Sequence, residues 1–147
     1  MNLWELLVSL TKYEACLKRK KVNHSRAREA IYRIFLDFEN TFMSVSSLHK
    51  KLDDYYPKKV SVNTIYRHLN LFVACDLVLL IQDDNKKAYY ILVDYDAPVF
   101  NICPKCQAIG VEEVTQAQQT MLCEMLKPTK QNKTPFVVLH KLCDKCS

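Results

Sequence analysis

Ser61-Val62-Asn63-Thr64-Ile65-Tyr66-Arg67-His68-Leu69-Asn70-Leu71-Phe72 is the stretch on which the fold turns. Ser61 is a good helix N-cap. Val62, Ile65, Leu69, Phe72 and Val73 recur at helical spacing and predict a helix reaching about Cys75. Asn63, Thr64 and Arg67 fall on the opposite side of the wheel, with Asn70 nearby and Tyr66 on the flank. An amide, a hydroxyl and a guanidinium on the outer face of a helix's N-terminal half suit reading of the DNA major groove. Arginine can bridge guanine or hold phosphate, and asparagine can bridge adenine. An ordinary amphipathic helix with a polar outer face has the same wheel, so this pattern alone leaves both readings open.

The flanking sequence supplies the rest of a helical module. A helix over 3–20 is predicted from Leu3, Leu6, Leu7, Leu10, Tyr13 and Leu17, and it ends in a basic run. A second, over about 25–39, carries the stripe Ala27, Ile31, Ile34, Phe35 and Phe38, with Ser25 as cap. A third, over about 46–56, has Leu48, Leu52 and Tyr55 on one face and stops at Pro57. After the Ser61 helix, two β-rich runs at 77–81 and 88–93 flank the polar turn 83–87 and read as a hairpin. Three helices followed by a hairpin are the layout of a winged helix-turn-helix. A boundary near 94–98 divides the chain into 1–94 and 95–147.

The second part reads as a small α/β unit. Strands are expected at 99–103, 108–114 and 135–142. Thr115-Gln116-Ala117-Gln118 fits a capping box opening a helix with Ala117, Met121, Leu122 and Met125 on one face, closed by Pro128. Two Cys-x-x-Cys pairs, Cys103/Cys106 and Cys143/Cys146, sit at strand ends with 36 residues between them. Two such knuckles are the usual way to build a closed tetrahedral zinc site, which predicts one structural Zn2+ per chain. Two disulfides would use the same cysteines. A redox Cys-x-x-Cys fits less well, because that motif opens a helix. Strands at both ends of the unit can pair with a second copy, so a zinc-stapled dimerisation domain is expected. The fold class is therefore α+β: an N-terminal winged helix-turn-helix and a small C-terminal α/β dimerisation domain with a four-cysteine zinc site.

Bulk properties agree. The chain has 147 residues, 49% of them hydrophobic, enough for one ordinary domain or two small ones. No window approaches a membrane span. The first ten residues are apolar but carry Glu5 and lack a basic start, so no signal peptide is expected and the thiols should be reduced. The net charge is +5, and it is unevenly placed. Twelve Lys and Arg against five acids give residues 18–67 a charge of +7, which points to a polyanion such as double-stranded DNA. Gly110 is the single glycine, so a phosphate-cradling loop is excluded. No Ser/His/Asp set or paired carboxylates stand in a motif, and no enzymatic activity is expected.

The wording of the Ser61–Phe72 segment, followed by Asp76-Leu77-Val78, resembles the recognition helix of the ferric uptake regulator superfamily. There the pattern is a Ser, a Thr-(Val/Ile)-Tyr-Arg core, Leu-Asn, and a Gly-Leu-Val entry to the wing; here Cys75-Asp76 replaces the usual Ala-Gly. Val22-Asn23-His24-Ser25-Arg26 is similar to the opening of the family's second helix, and the four cysteines to its structural zinc ligands. The resemblance implies a homodimeric, cytoplasmic bacterial transcription factor that reads a palindromic operator. By that analogy Tyr66 and Arg67 contact base and backbone and Arg26 holds phosphate. Lys18, Arg19, Lys20 and Lys21 approach the backbone or minor groove.

The chain departs from the family at the regulatory metal site. The run 94–102 before Cys103 contains no histidine, Tyr89-Tyr90-Ile91-Leu92 lacks the wing acid, and Phe42-Met43 lacks the hinge histidine. Phe100, Pro98 and Ile91 cannot bind a divalent ion. A regulator not gated by the usual metal is therefore expected, with a cryptic site using Asp94, Asp96 or His140 as a minor alternative. Cys16, Cys75 and Cys123 read as buried packing residues, or alternatively as thiols of a redox-sensing regulator. A zinc-ribbon protein–protein adaptor is the competing reading from another class.

Overall fold

The computed structural model describes residues 2–93, 96–127 and 133–147. It divides into two compact units, Met1–Ile81 with Ala88–Val93, and Gln82–Lys87 with Asp94–Ser147. Asp94, in the expected boundary, and Pro128, the expected end of the last helix, lie outside the described residues.

In the first unit α1 spans Leu3–Lys20, α2 Arg26–Asp37, α3 Val45–Leu52 and α4 Val62–Ala74. Each begins on a residue whose side chain accepts from a first-turn N–H: Asn2, Ser25, Ser44 and Ser61. Asn2 and Glu5 form a reciprocal capping box. α3 is shorter than its apolar pattern predicts. Beyond Leu52 the chain turns, with the Tyr55 and Tyr56 N–H groups both donating to the Leu52 carbonyl, so Tyr55 packs from a turn rather than a helix. Ile31, Ile34 and Phe35 of α2, Leu48 of α3, and Ile65, Leu69 and Phe72 of α4 are fully buried in one core. Three short helices cannot hide their stripes alone, and mutual packing is what makes them stable.

Strands β1 (Leu79–Gln82) and β2 (Ala88–Ile91) form a two-stranded sheet. Met43 exchanges both backbone hydrogen bonds with Tyr90 at 2.9 Å, and Asn40 N–H donates to the Leu92 carbonyl. The hairpin is thereby sewn to the segment between α2 and α3, as a wing is.

The second unit holds β3 (Val99–Ile102), β4 (Ile109–Val111), α5 (Gln116–Met125) and β5 (Val137–His140). β3 lies in the middle of a three-stranded sheet, antiparallel to β4 and parallel to β5. Its side chains Val99, Phe100 and Ile102 are buried, and Phe100 packs on Phe136 at 5.8 Å. Gly110 pairs with Asn101, and a Cβ there would stand 3.0 Å from Asn101 Oδ1. Asn101 needs that room because its amide donates to Glu112, which also pairs with Lys141. α5 starts on the expected Thr115/Gln118 capping box. None of its residues is buried, so the predicted apolar face of Met121 and Met125 is exposed in the single chain.

Candidate nucleic-acid interface and metal centre

α4 sorts its residues by face. Ile65, Leu69 and Phe72 enter the core, while Asn63, Tyr66, Arg67 and Asn70 are exposed; Tyr66 keeps 43% of its surface. Thr64 is half-buried, and its hydroxyl lies 2.9 Å from the Ser61 hydroxyl, which caps the helix. An amide, a phenol and a guanidinium thus project from the first two turns of a rigidly seated helix. Arg26, the first residue of α2, is exposed, as are Lys18, Arg19, Lys20 and Lys21 at the end of α1. Lys21 takes a left-handed conformation (φ 51°) that ends α1.

Two residues of this unit were not singled out by sequence reasoning. His68 keeps only 8% of its surface, and it faces inward between the exposed Arg67 and the buried Leu69. Burial, and then the positive charges of Arg28 and Arg67, lower its pKa to about 4. Arg28 is half-buried, donates to the Asn23 carbonyl at 2.7 Å, and has no partner at Nε among the described residues. Helical spacing placed His68 near the apolar stripe, but nothing in the sequence said that an imidazole would be accepted there.

A pH prediction follows from His68. Its folded pKa lies below the ordinary 6.5, so the unfolded chain binds the proton more readily. The stabilising contribution is complete above about pH 6.5 and is lost as the pH falls towards 4, amounting to about 3 kcal/mol at most. Urea midpoints at pH 7 and 4.5 should differ more for the parent than for His68→Gln. Equal pH dependence in the two proteins would rule the contribution out.

The metal centre follows from sheet topology. β3 and β5 run parallel, Val99 beside Val137 through Ile102 beside His140, so both chains leave the sheet at the same end. Cys103 directly follows β3, and Cys143 comes three residues after β5. The first knuckle closes with Gln107 N–H donating to the Cys103 carbonyl at 2.8 Å, and Cys103 N–H to the Ala108 carbonyl at 2.9 Å. The second closes with the N–H groups of Cys146 and Ser147 on the Cys143 carbonyl at 3.0 and 2.9 Å. All four Sγ atoms lie within 4.8 Å of one another, and those of Cys106 and Cys143 are 3.7 Å apart. A tetrahedral ion with Zn–S of about 2.3 Å separates its sulfurs by about 3.8 Å, so the donor set fits zinc.

The electrostatics also call for a cation. Backbone N–H groups of Cys106, Cys143 and Lys105 face the Cys103 sulfur and hold its thiol down at about 6. Hydrogen bonds from Cys146 to the neighbouring sulfurs, Cys143 first, push the Cys146 thiol up to about 12. One thiolate is favoured and a further one opposed. Four thiolates in this space need a positive ion at their centre.

The turn 83–87 belongs to this unit. The Asp84 N–H donates to Gln107 Oε1 at 2.9 Å, and Gln107 Nε2 returns a bond to the Asp84 carboxylate. His140 stands 3.9 Å from Asp84, not beside the cysteines. Cys123 is exposed on α5, against the expectation of a buried packing residue, because none of that helix's residues is buried in the single chain. Cys16 and Cys75, in the first unit, are joined in a disulfide rather than packed as free thiols.

The model of the ferric uptake regulator family matches residues 19–133, ending short of Cys143 and Cys146. No curated protein matches by sequence. Several solved structures share the fold. The Helicobacter pylori ferric uptake regulator is 15% identical, with a TM-score of 0.68 over 96% of this chain and 93% of that one. The manganese-bound ferric uptake regulator of Pseudomonas aeruginosa is 19% identical, with a TM-score of 0.64 over 87% and 96%. A zinc uptake regulator complexed with zinc and DNA is 17% identical, with a TM-score of 0.54 over 99% and 96%.

Proposed function

We propose that this chain, which belongs to the ferric uptake regulator family, is a dimeric, sequence-specific DNA-binding regulator that keeps its zinc but needs no regulatory metal. The family is one of transcription regulators, not enzymes. The observation that carries the reading is α4, buried on one face and offering Asn63, Tyr66 and Arg67 on the other. One protein of the same fold, the zinc uptake regulator, is seen with DNA. Residues 1–94 are the reading domain and 95–147 the pairing domain. Tyr66, Arg67, Asn63 and Thr64 meet base edges, and Arg26 and Lys18–Lys21 meet phosphates.

Zn2+ on Cys103, Cys106, Cys143 and Cys146 is structural: four thiolates leave no open coordination position. Dimerisation is supported by apolar surface that the second unit cannot cover alone. Phe136, Leu139 and Leu142 around β5, and Met121 and Met125 on α5, are exposed, and β5 has an open edge. A two-fold dimer places two α4 helices on a palindromic site.

Freedom from the regulatory metal rests on residue identity. Phe100 and Ile91, where the family pattern has ligands, are fully buried apolar side chains of the core. Among the expected alternatives, Asp94 lies outside the described residues, and His140 is beside Asp84. Fluorescence anisotropy on DNA from the chain's own upstream region tests this, with a mild chelator that spares four-cysteine zinc and again with Mn2+ or Fe2+. The same affinity within about twofold is expected in each condition, because a ligand without differential affinity for two states shifts neither. Binding only with added metal would overturn the proposal of metal independence.

A further inference from the structure

The Cys16–Cys75 disulfide takes no part in holding zinc or touching DNA, yet it joins the two elements assigned to DNA. Cys16 lies in α1, two residues before the basic run Lys18–Lys21. Cys75 is the C-cap of α4, eight residues and about two turns beyond Arg67. Their Cα atoms are 5.7 Å apart, in the middle of the range a disulfide requires.

α1 is less deeply seated than α2 and α4. Of its 18 residues only Ser9, Tyr13 and Cys16 are buried. Tyr13 stacks on Tyr32 at 4.7 Å and meets Phe72 of α4 edge-on at 6.1 Å, the Tyr32 hydroxyl donates to the Ser9 carbonyl at 3.0 Å, and Leu6, Leu10 and Leu17 pack partly buried against the core. α2 and α4, by contrast, each bury a full stripe in the shared core. A covalent bond near the C-terminal end of α1 adds to these contacts and raises the free energy needed to undock it.

We propose that Cys16 and Cys75 are a redox clamp made by a hydroperoxide. Oxidation ties α1 to the end of α4 and fixes Lys18–Lys21 for the DNA backbone; reduction frees α1. The effect on DNA rests on the proposed function, whereas the clamp itself does not. Cys75 is half-buried and Cys16 is only 2% exposed, so Cys75 reacts first. Its thiolate attacks the terminal oxygen of the hydroperoxide. An S–O bond forms, the O–O bond breaks, and the leaving oxygen takes a proton to become an alcohol, or water from hydrogen peroxide. The Cys16 thiolate then attacks the Cys75 sulfenic sulfur. The S–S bond forms, and the departing hydroxide takes a proton to become water. The two thiols lose two electrons and two protons, and the peroxide receives them. A dithiol reductant reverses the step. In a reducing compartment such a disulfide exists only while oxidant is present.

The test uses the full-length, zinc-loaded protein, reduced and then treated with an equivalent of hydrogen peroxide. Peptide mapping without reductant should recover the Cys16–Cys75 link with zinc still bound. Hydrogen exchange of the α1 amides should slow by about tenfold or more on oxidation, as expected when local opening is suppressed. Affinity for specific DNA should fall by about tenfold on reduction, with a shallower salt dependence as phosphate contacts loosen. A protein with Cys16→Ala and Cys75→Ala should behave as reduced in either condition; the parent in its two redox states gives the same comparison if that variant folds poorly. Zinc loss before any Cys16–Cys75 link forms would overturn the proposal, as would a link that leaves α1 exchange unchanged. An exchange change without DNA binding in either state would uphold the clamp and count against the DNA reading instead.

Discussion

Arg67→Ala should lower affinity for the specific DNA site by at least about 30-fold while zinc content, dimer and thermal stability stay as in the parent. A bidentate arginine–guanine pair discriminates by about 1–3 kcal/mol, and a symmetric site engages two copies, so about 2–6 kcal/mol is at stake. Arg67 is exposed, and the α4 core face of Ile65, Leu69 and Phe72 does not include it. Surface substitutions of that kind usually change stability by less than about 0.5 kcal/mol. Tyr66→Ala should act in the same direction. Lys20→Ala should differ in kind, weakening all sequences alike and lowering the salt slope by about one. Titrations of specific and scrambled duplexes at several salt concentrations separate these outcomes. Unchanged specific affinity in Arg67→Ala would mean that α4 is not the reading helix.

Cys103→Ser should release the zinc and dismantle the second unit and the dimer it builds. Structural zinc in small domains contributes about 10–16 kcal/mol, which becomes folding free energy because the unfolded chain has no preformed site. The buried apolar residues described in this unit are few, chiefly Ala97, Val99, Phe100 and Ile102. A core of that size does not hold so small a unit together without a metal or a partner. Cys103 is itself almost fully buried at the end of β3, so its loss also disturbs the strand that both other strands pair with. Zinc release by a chromogenic chelator and sedimentation of the variant measure the two effects. The helical signal of the first unit should persist, since its core shares no residue with the zinc site. A metal-free parent protein that folds and dimerises normally would refute the structural role of zinc.

Local signals were the legible part of this fold. α1 spans the predicted 3–20, and Ser25, Ser61 and Thr115 cap the helices their positions announced. Caps and periodicity are written within a few residues, so a single chain displays them. The four cysteines were legible as a set because their spacing is itself the geometry of two knuckles. What brings the knuckles together is the parallel pairing of β3 with β5, a long-range contact that no local pattern states. The same limit hid the Cys16–Cys75 pair, whose partners are 59 residues apart and look like two ordinary buried thiols. His68 was missed for a related reason: its burial depends on the core packed around α4, and its lowered pKa on that burial and then on the charges of Arg28 and Arg67. The apolar face of α5 was read correctly as apolar but is left exposed among the described residues, and periodicity cannot say whether its cover comes from the same chain or a second copy.

The most direct measurement is selection of bound duplexes from a random library by the zinc-loaded protein without added metal, at near-physiological salt. A dimer reading through α4 should enrich a two-fold symmetric motif with half-sites about one helical turn apart, and Arg67→Ala should lose that enrichment. Recovery of no motif above the scrambled background, with binding that tracks only salt, would contradict sequence-specific recognition and favour a protein-binding zinc adaptor.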